Sequence, residues 1–153
     1  FESNLDSCSV IKNALQRYHD TIFLDENFKA ASGLDKLSSV KVEISDSKAN
    51  CKYPNFGESE AYELKVTKTS ATISSSTVWG ALRGLETFSQ IVYENDDYEL
   101  FVNLTEIHDE PRFPYRGLLL DTARHYMPVE TILKNLDAMS QNKLNTFLIG
   151  VCI

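Results

Sequence analysis

Two uninterrupted apolar runs flanking one amphipathic helix constrain this chain more than any other feature. Gly117-Leu118-Leu119-Leu120 lies between Arg116 and Asp121 with no polar interruption, and Leu144–Ile153 ends in the charge-free stretch Phe147-Leu148-Ile149-Gly150-Val151-Cys152-Ile153. A half-wet strand alternates polar and apolar side chains, whereas a strand apolar at successive positions is covered on both faces. Between the runs, Val129, Ile132, Leu133, Leu136 and Met139 recur at helical spacing. Pro128 suits a first helical turn, Glu130 and Lys143 match the helix dipole, and Asn142 can stop the helix. The order predicts a right-handed βαβ unit of a parallel sheet. One such unit cannot cover both faces of its own strands, so the reading expects a domain that continues past these residues. Left bare, the last run is a sheet edge prone to aggregation.

Upstream, Val10, Ile11, Ala14, Leu15, Tyr18, Ile22 and Phe23 form one helical stripe over about 8–23. Val40, Val42 and Ile44 alternate with Lys41 and Glu43, as a half-buried strand does. Tyr62, Leu64 and Val66 alternate likewise, and 71–74 returns after Lys68-Thr69-Ser70 as a hairpin. Thr77 or Ser76 caps a second helix with apolar positions Val78, Ala81, Leu82, Leu85, Phe88, Ile91 and Val92. Gly80 and Gly84 lie beside that stripe, either as plain helix flaws or as points of close packing on a sheet. Strands near 98–102 and 104–107 follow. Glu110-Pro111-Arg112-Phe113-Pro114 marks a boundary, and the charge changes across it: residues 1–112 carry 11 basic and 19 acidic side chains, residues 113–153 carry 4 and 3. The expected domains are therefore 1–112 and 113–153.

A net charge of −7 argues against nucleic acid or an anionic membrane surface as partner. No apolar stretch approaches the ~20 residues of a spanning helix. The opening Phe1-Glu2-Ser3 carries no secretory signal, which leaves a cytosolic chain or a processed, mature one. Cys8, Cys51 and Cys152 show no CxxC, so no zinc site is expected, and an isolated cysteine reads equally as a small buried hydrophobe. Asn103-Leu104-Thr105 is an N-glycosylation acceptor and favours a secretory route. The acidic clusters Asp25-Glu26 and Glu94-Asn95-Asp96-Asp97 lack cation-loop spacing and read as solvated faces or turns. Phosphate loops, GxGxxG and GxSxG are absent from the sequence.

The chemistry concentrates in Asp121-Thr122-Ala123-Arg124-His125-Tyr126, the loop that follows an apolar strand, where barrels and doubly wound sheets build their sites. The fork of donors on Arg124 can grip vicinal hydroxyls or a carboxylate. An Asp121–Arg124 ion pair that merely orders the loop is the competing reading. His125 reads as a packed or capping residue and Tyr126 as wall or core.

Three segments then carry a resemblance: Thr77-Val78-Trp79-Gly80-Ala81-Leu82-Arg83-Gly84-Leu85-Glu86-Thr87-Phe88-Ser89-Gln90, Pro111-Arg112-Phe113-Pro114-Tyr115-Arg116-Gly117-Leu118-Leu119-Leu120-Asp121-Thr122-Ala123-Arg124-His125-Tyr126, and Asn142-Lys143-Leu144-Asn145. Together they resemble the lysosomal-type β-hexosaminidases, glycoside hydrolase family 20, from about Cys8 to Phe147. The resemblance implies an α+β N-terminal domain, an antiparallel sheet covering two helices, followed by the first βαβ unit of an incomplete (β/α)₈ barrel. It implies hydrolysis of terminal N-acetylhexosamine from glycoproteins, glycolipids or chitin oligosaccharides by a retaining, substrate-assisted route, with no metal and no cofactor. It matches Arg124 to the arginine that binds the sugar hydroxyls, Cys8 and Cys51 to a disulfide, and Asn103 to a glycosylation position. A lysosomal or secreted location and pairing with another hexosaminidase subunit follow from it. After Phe147 the family continues His-Trp-His and an acidic pair, where this chain reads Leu148-Ile149-Gly150. The family's catalytic Asp-Glu pair is not found in these residues, so the reading is a truncated hydrolase, inert by itself. A non-catalytic subunit-contact or decoy module is the alternative.

Overall fold

A computed structural model describes residues 1–5, 7–24, 35–46 and 51–151. Asp25-Glu26 and Cys152 lie outside these residues. The chain divides into two compact units, Phe1–Pro111 and Arg112–Ile153.

The first unit runs β1 (Glu2–Ser3), α1 (Ser9–Ile22), β2 (Ser39–Ile44), β3 (Tyr62–Val66), β4 (Ser70–Ser75), α2 (Val78–Ile91), β5 (Tyr93–Glu94), β6 (Leu100–Phe101) and β7 (Thr105–Asp109). Five strands form one sheet in the order β1-β2-β4-β3-β7, and β5 pairs with β6 separately. The alternation read from the sequence places Val40, Val42, Ile44, Tyr62, Leu64, Val66, Ala71 and Ile73 on one buried face. Against them pack Ile11, Ala14 and Tyr18 of α1 and Val78, Ala81, Leu85 and Phe88 of α2, one continuous core. The opposite face carries charge: Glu2 meets Lys41 at 3.5 Å and Lys65 meets Glu106 at 3.6 Å.

The class is α+β, as expected, but the sheet is mixed rather than antiparallel. β3–β4 and β3–β7 are antiparallel, while β1–β2 and β2–β4 are parallel. The reason is strand order. The β3–β4 hairpin reverses the chain, and β2 joins on the outer side of β4, so it runs with β4 and against β3.

Helix α2 is built as its sequence indicates. The Thr77 hydroxyl accepts from the Gly80 amide at 3.0 Å and itself donates to the Ser59 carbonyl at 2.6 Å, so the cap also ties the helix to the segment before β3. The glycines are points of close approach. A Cβ on Gly80 would overlap Ser75 Oγ and the Ala61 carbonyl oxygen, and one on Gly84 would overlap Ile73 Cγ2.

One polar joint sits inside this core. Glu86 is 5% exposed on the packed side of α2. Its Oε2 accepts from the Tyr18 hydroxyl at 2.8 Å and its Oε1 from Gln90 Nε2 at 2.7 Å. Burial, reinforced by the Glu86 carboxylate, pushes the Tyr18 hydroxyl from 10.0 to about 12. A raised value means the neutral phenol is favoured in the folded state. The stabilisation is complete below pH 10 and is lost as pH rises toward 12. Urea titrations at pH 9 and pH 12 should therefore differ by about 2 kcal/mol in the wild type beyond any general alkaline loss. The difference should be absent in Tyr18→Phe, which is itself destabilised at pH 9 because Glu86 Oε2 loses its donor inside the core while Oε1 keeps Gln90. Equal pH sensitivity in both proteins would contradict this.

The second unit is β8 (Gly117–Asp121), α3 (Val129–Gln141) and β9 (Thr146–Gly150), with β8 and β9 parallel from Gly117↔Thr146 to Asp121↔Gly150. Pro128 is the N-cap of α3, one position before the first turn. At its other end Asn142 is the C-cap and Lys143 follows at φ 55. Lys143 N bonds Ser140 O at 3.1 Å and Leu144 N bonds Met139 O at 2.9 Å, a Schellman closure with lysine where glycine is usual. Met139 is the one residue of α3 that is buried. Leu119, Leu133 and Val129 are 67%, 54% and 69% exposed. Coverage of both strand faces, the expectation for such apolar runs, is thus not supplied within the described residues.

Candidate functional site

Two of the segments that carry the sequence resemblance, 111–126 and 142–145, meet in space. Arg116 N donates to Asn145 Oδ1 at 3.0 Å, Asn145 N returns to Arg116 O at 2.9 Å, and Asn145 Nδ2 donates to Pro114 O at 2.8 Å. The Arg116 guanidinium donates from Nε to Lys143 O at 2.9 Å and from Nη1 to Phe113 O at 2.8 Å. This clamp holds the starts of β8 and β9 together. Their far ends are tied by Thr122, whose amide and hydroxyl both donate to Gly150 O, at 3.0 and 2.7 Å. The loop at residues 121–126 is therefore anchored at its root.

Asp121 shapes that loop. Its Oδ1 accepts from the amides of Ala123 at 3.0 Å and Arg124 at 3.3 Å, a local side-chain turn. Its Oδ2 pairs with Arg124 Nε at 3.1 Å. The ion pair left open on sequence grounds is thus present. It does not exclude a binding role, because a guanidinium held through Nε keeps the donors of its two terminal nitrogens. The Arg124 side chain is 84% exposed. His125 is exposed rather than packed. Tyr126, expected as wall or core, is 86% exposed, since it lies in the loop between β8 and α3 beyond the last ladder pair, Asp121↔Gly150. The ion pair by which Asp121 orders the loop is the competing reading of the sequence; the turn it makes with the amides of Ala123 and Arg124 is not legible there, and neither is the buried role of Glu86, an acid set beside an apolar stripe.

Cys8 and Cys51 form a disulfide with Cα atoms 5.7 Å apart, joining the N-cap of α1 to the segment before β3. Asn103 is exposed between β6 and β7. Among the described residues no group of three or more His, Cys, Asp or Glu could hold a metal ion, and no helix is long and apolar enough to cross a membrane. Glu94–Asp97 belongs to the β5–β6 hairpin, where Asn95 Oδ1 accepts from the amides of Asp97 and Glu99 at 3.0 and 2.9 Å, which accounts for it as a turn.

Sequence families match both units: "beta-acetyl hexosaminidase like" over residues 2–91, and "Glycosyl hydrolase family 20, catalytic domain" over residues 113–152. The chain belongs to the β-hexosaminidases of glycosyl hydrolase family 20. It is 42% identical over 144 residues to β-hexosaminidase subunit alpha of Bos taurus, covering 92% of this chain and 27% of that one. To subunit beta of Homo sapiens it is 44% identical over 147 residues, covering 91% and 26%. Among solved structures, the chitobiase of Flavobacterium johnsoniae superposes with a TM-score of 0.73 at 30% identity, covering 96% of this chain and 22% of that one. The chain thus spans about a quarter of the length of the curated relatives it matches.

Proposed function

We propose that this chain is the opening portion of a hydrolase that removes terminal, non-reducing N-acetyl-D-hexosamine from glycoconjugates, with residues 1–112 as the N-terminal α+β domain and 113–153 as the start of a (β/α)₈ barrel. Arg124 is its sugar-binding residue and grips ring hydroxyls through its terminal nitrogens. One observation carries the assignment: an exposed guanidinium, fixed through Nε by Asp121, at the C-terminal end of the first barrel strand, the end where such folds bind ligands. The reaction is of the retaining, substrate-assisted type, in which the sugar's acetamido oxygen attacks its own anomeric carbon. Neither that nucleophile nor the acid that protonates the leaving group comes from residues 1–153. The disulfide and the Asn103 acceptor support a secretory route and a lysosomal or secreted location.

The 153-residue polypeptide by itself should not hydrolyse a chromogenic N-acetylglucosaminide above an Arg124→Ala control. Turnover that disappears in that control would show that residues 1–153 supply the reacting groups, and would overturn the proposed division of labour.

A further inference from the structure

The Asn103 acceptor lies beside an aromatic surface that the fold has assembled next to it. Across the β5–β6 pair Tyr93 stands opposite Phe101, with ring centroids 5.9 Å apart and planes 24° from parallel. Tyr93 is 48% exposed and Phe101 half-buried. The Tyr93 hydroxyl donates to Asn103 Oδ1 at 3.4 Å, which puts the carboxamide and the ring on the same side of the hairpin. An N-linked glycan grows from Nδ2 of that same carboxamide. Tyr93, Phe101, Asn103 and Leu104 border a cleft of about 660 Å³ whose walls include Phe88 and Val92. That volume is in the range of small-ligand sites.

We propose that the first N-acetylglucosamine of an Asn103-linked glycan stacks on the Tyr93–Phe101 ring pair and stabilises the Phe1–Pro111 unit. The inference rests on the reading of Asn103 as a glycosylation site. A pyranose ring has an apolar C–H face, and an aromatic ring offers a flat, weakly hydrated surface to receive it. Covalent attachment removes the association entropy that makes free sugars weak ligands, so a contact too weak for intermolecular binding is populated when tethered. Phe101 precedes Asn103 by two residues and Thr105 follows by two, so the aromatic platform, the attachment point and the acceptor threonine belong to one short segment.

The test is a thermal cycle on the full chain made in a glycosylating host and trimmed to a single N-acetylglucosamine. Wild type should melt about 4 °C above Asn103→Gln. The same comparison made in a Tyr93→Ala background should show less than half that gain, while Tyr93→Phe, which keeps the ring, should retain it. Should Tyr93→Ala not fold, the wild-type glycan alone decides: its sugar ring protons should be displaced upfield by the aromatic rings. A glycan present by mass spectrometry but giving equal stabilisation in all three backgrounds, or undisplaced sugar protons, overturns the stacking and leaves the modification intact. An unmodified Asn103 removes both.

Discussion

Gly80→Ala should destabilise the Phe1–Pro111 unit by about 3 kcal/mol, although the same exchange in an ordinary helix interior stabilises by about 1 kcal/mol. The sign is decided by what the new methyl meets. At Gly80 it would overlap the Ala61 carbonyl oxygen and Ser75 Oγ. The Ala61 carbonyl is backbone and already accepts from the Ser75 hydroxyl at 2.8 Å, so it cannot rotate aside. Helix α2 must lift from β4 or the segment before β3 must shift, and either loosens the close packing around Val78, Ala81 and Leu85, all fully buried. Gly84→Ala should cost less, because its obstacles are the Ile73 methyl and the edge of the Tyr62 ring, which can yield a little. Urea denaturation followed by circular dichroism measures both. A midpoint for Gly80→Ala at or above the wild-type value would contradict the packing described.

Losing the Cys8–Cys51 bridge should cost a comparable or larger amount. Its two ends are 43 residues apart in sequence. Closing a loop of that length removes about 4 kcal/mol of freedom from the unfolded chain in the entropic account. Cys8 is 1% exposed within the core and Cys51 packs against it. The Cys8→Ser/Cys51→Ser protein should therefore melt well below the wild type, and the reduced wild type should follow it. An oxidised and a reduced sample with the same melting temperature would contradict this.

Period and capping made the elements legible, but strand partnership was not. The α2 stripe with its Thr77 cap, the β3–β4 alternation and the strand–helix–strand of the second unit all stand near their expected bounds. Alternation says which face of Val40, Val42 and Ile44 is buried. It says nothing about which strand lies alongside or in which direction, so the parallel β2–β4 pairing could not be read. Two-residue strands such as β5 carry no period at all, and only the β6 side of that hairpin was expected. In the candidate site, the loop and its guanidinium were legible because polar groups stand out between apolar runs. The turn that Asp121 imposes was not, since one carboxylate can serve the backbone, the arginine or both, and only coordinates distinguish these.

Arg124 remains the residue on which the functional account turns, and an NMR titration of the chain with N-acetylglucosamine addresses it directly. The account predicts saturable shifts of the Arg124 side-chain Nε–H signal and of the residue 121–126 amides, and loss of the amide shifts in Arg124→Lys, whose ammonium lacks both the planar pair of donors and the Nε–H held by Asp121. Unchanged signals in this loop at saturating sugar, or identical shifts in Arg124→Lys, would contradict it.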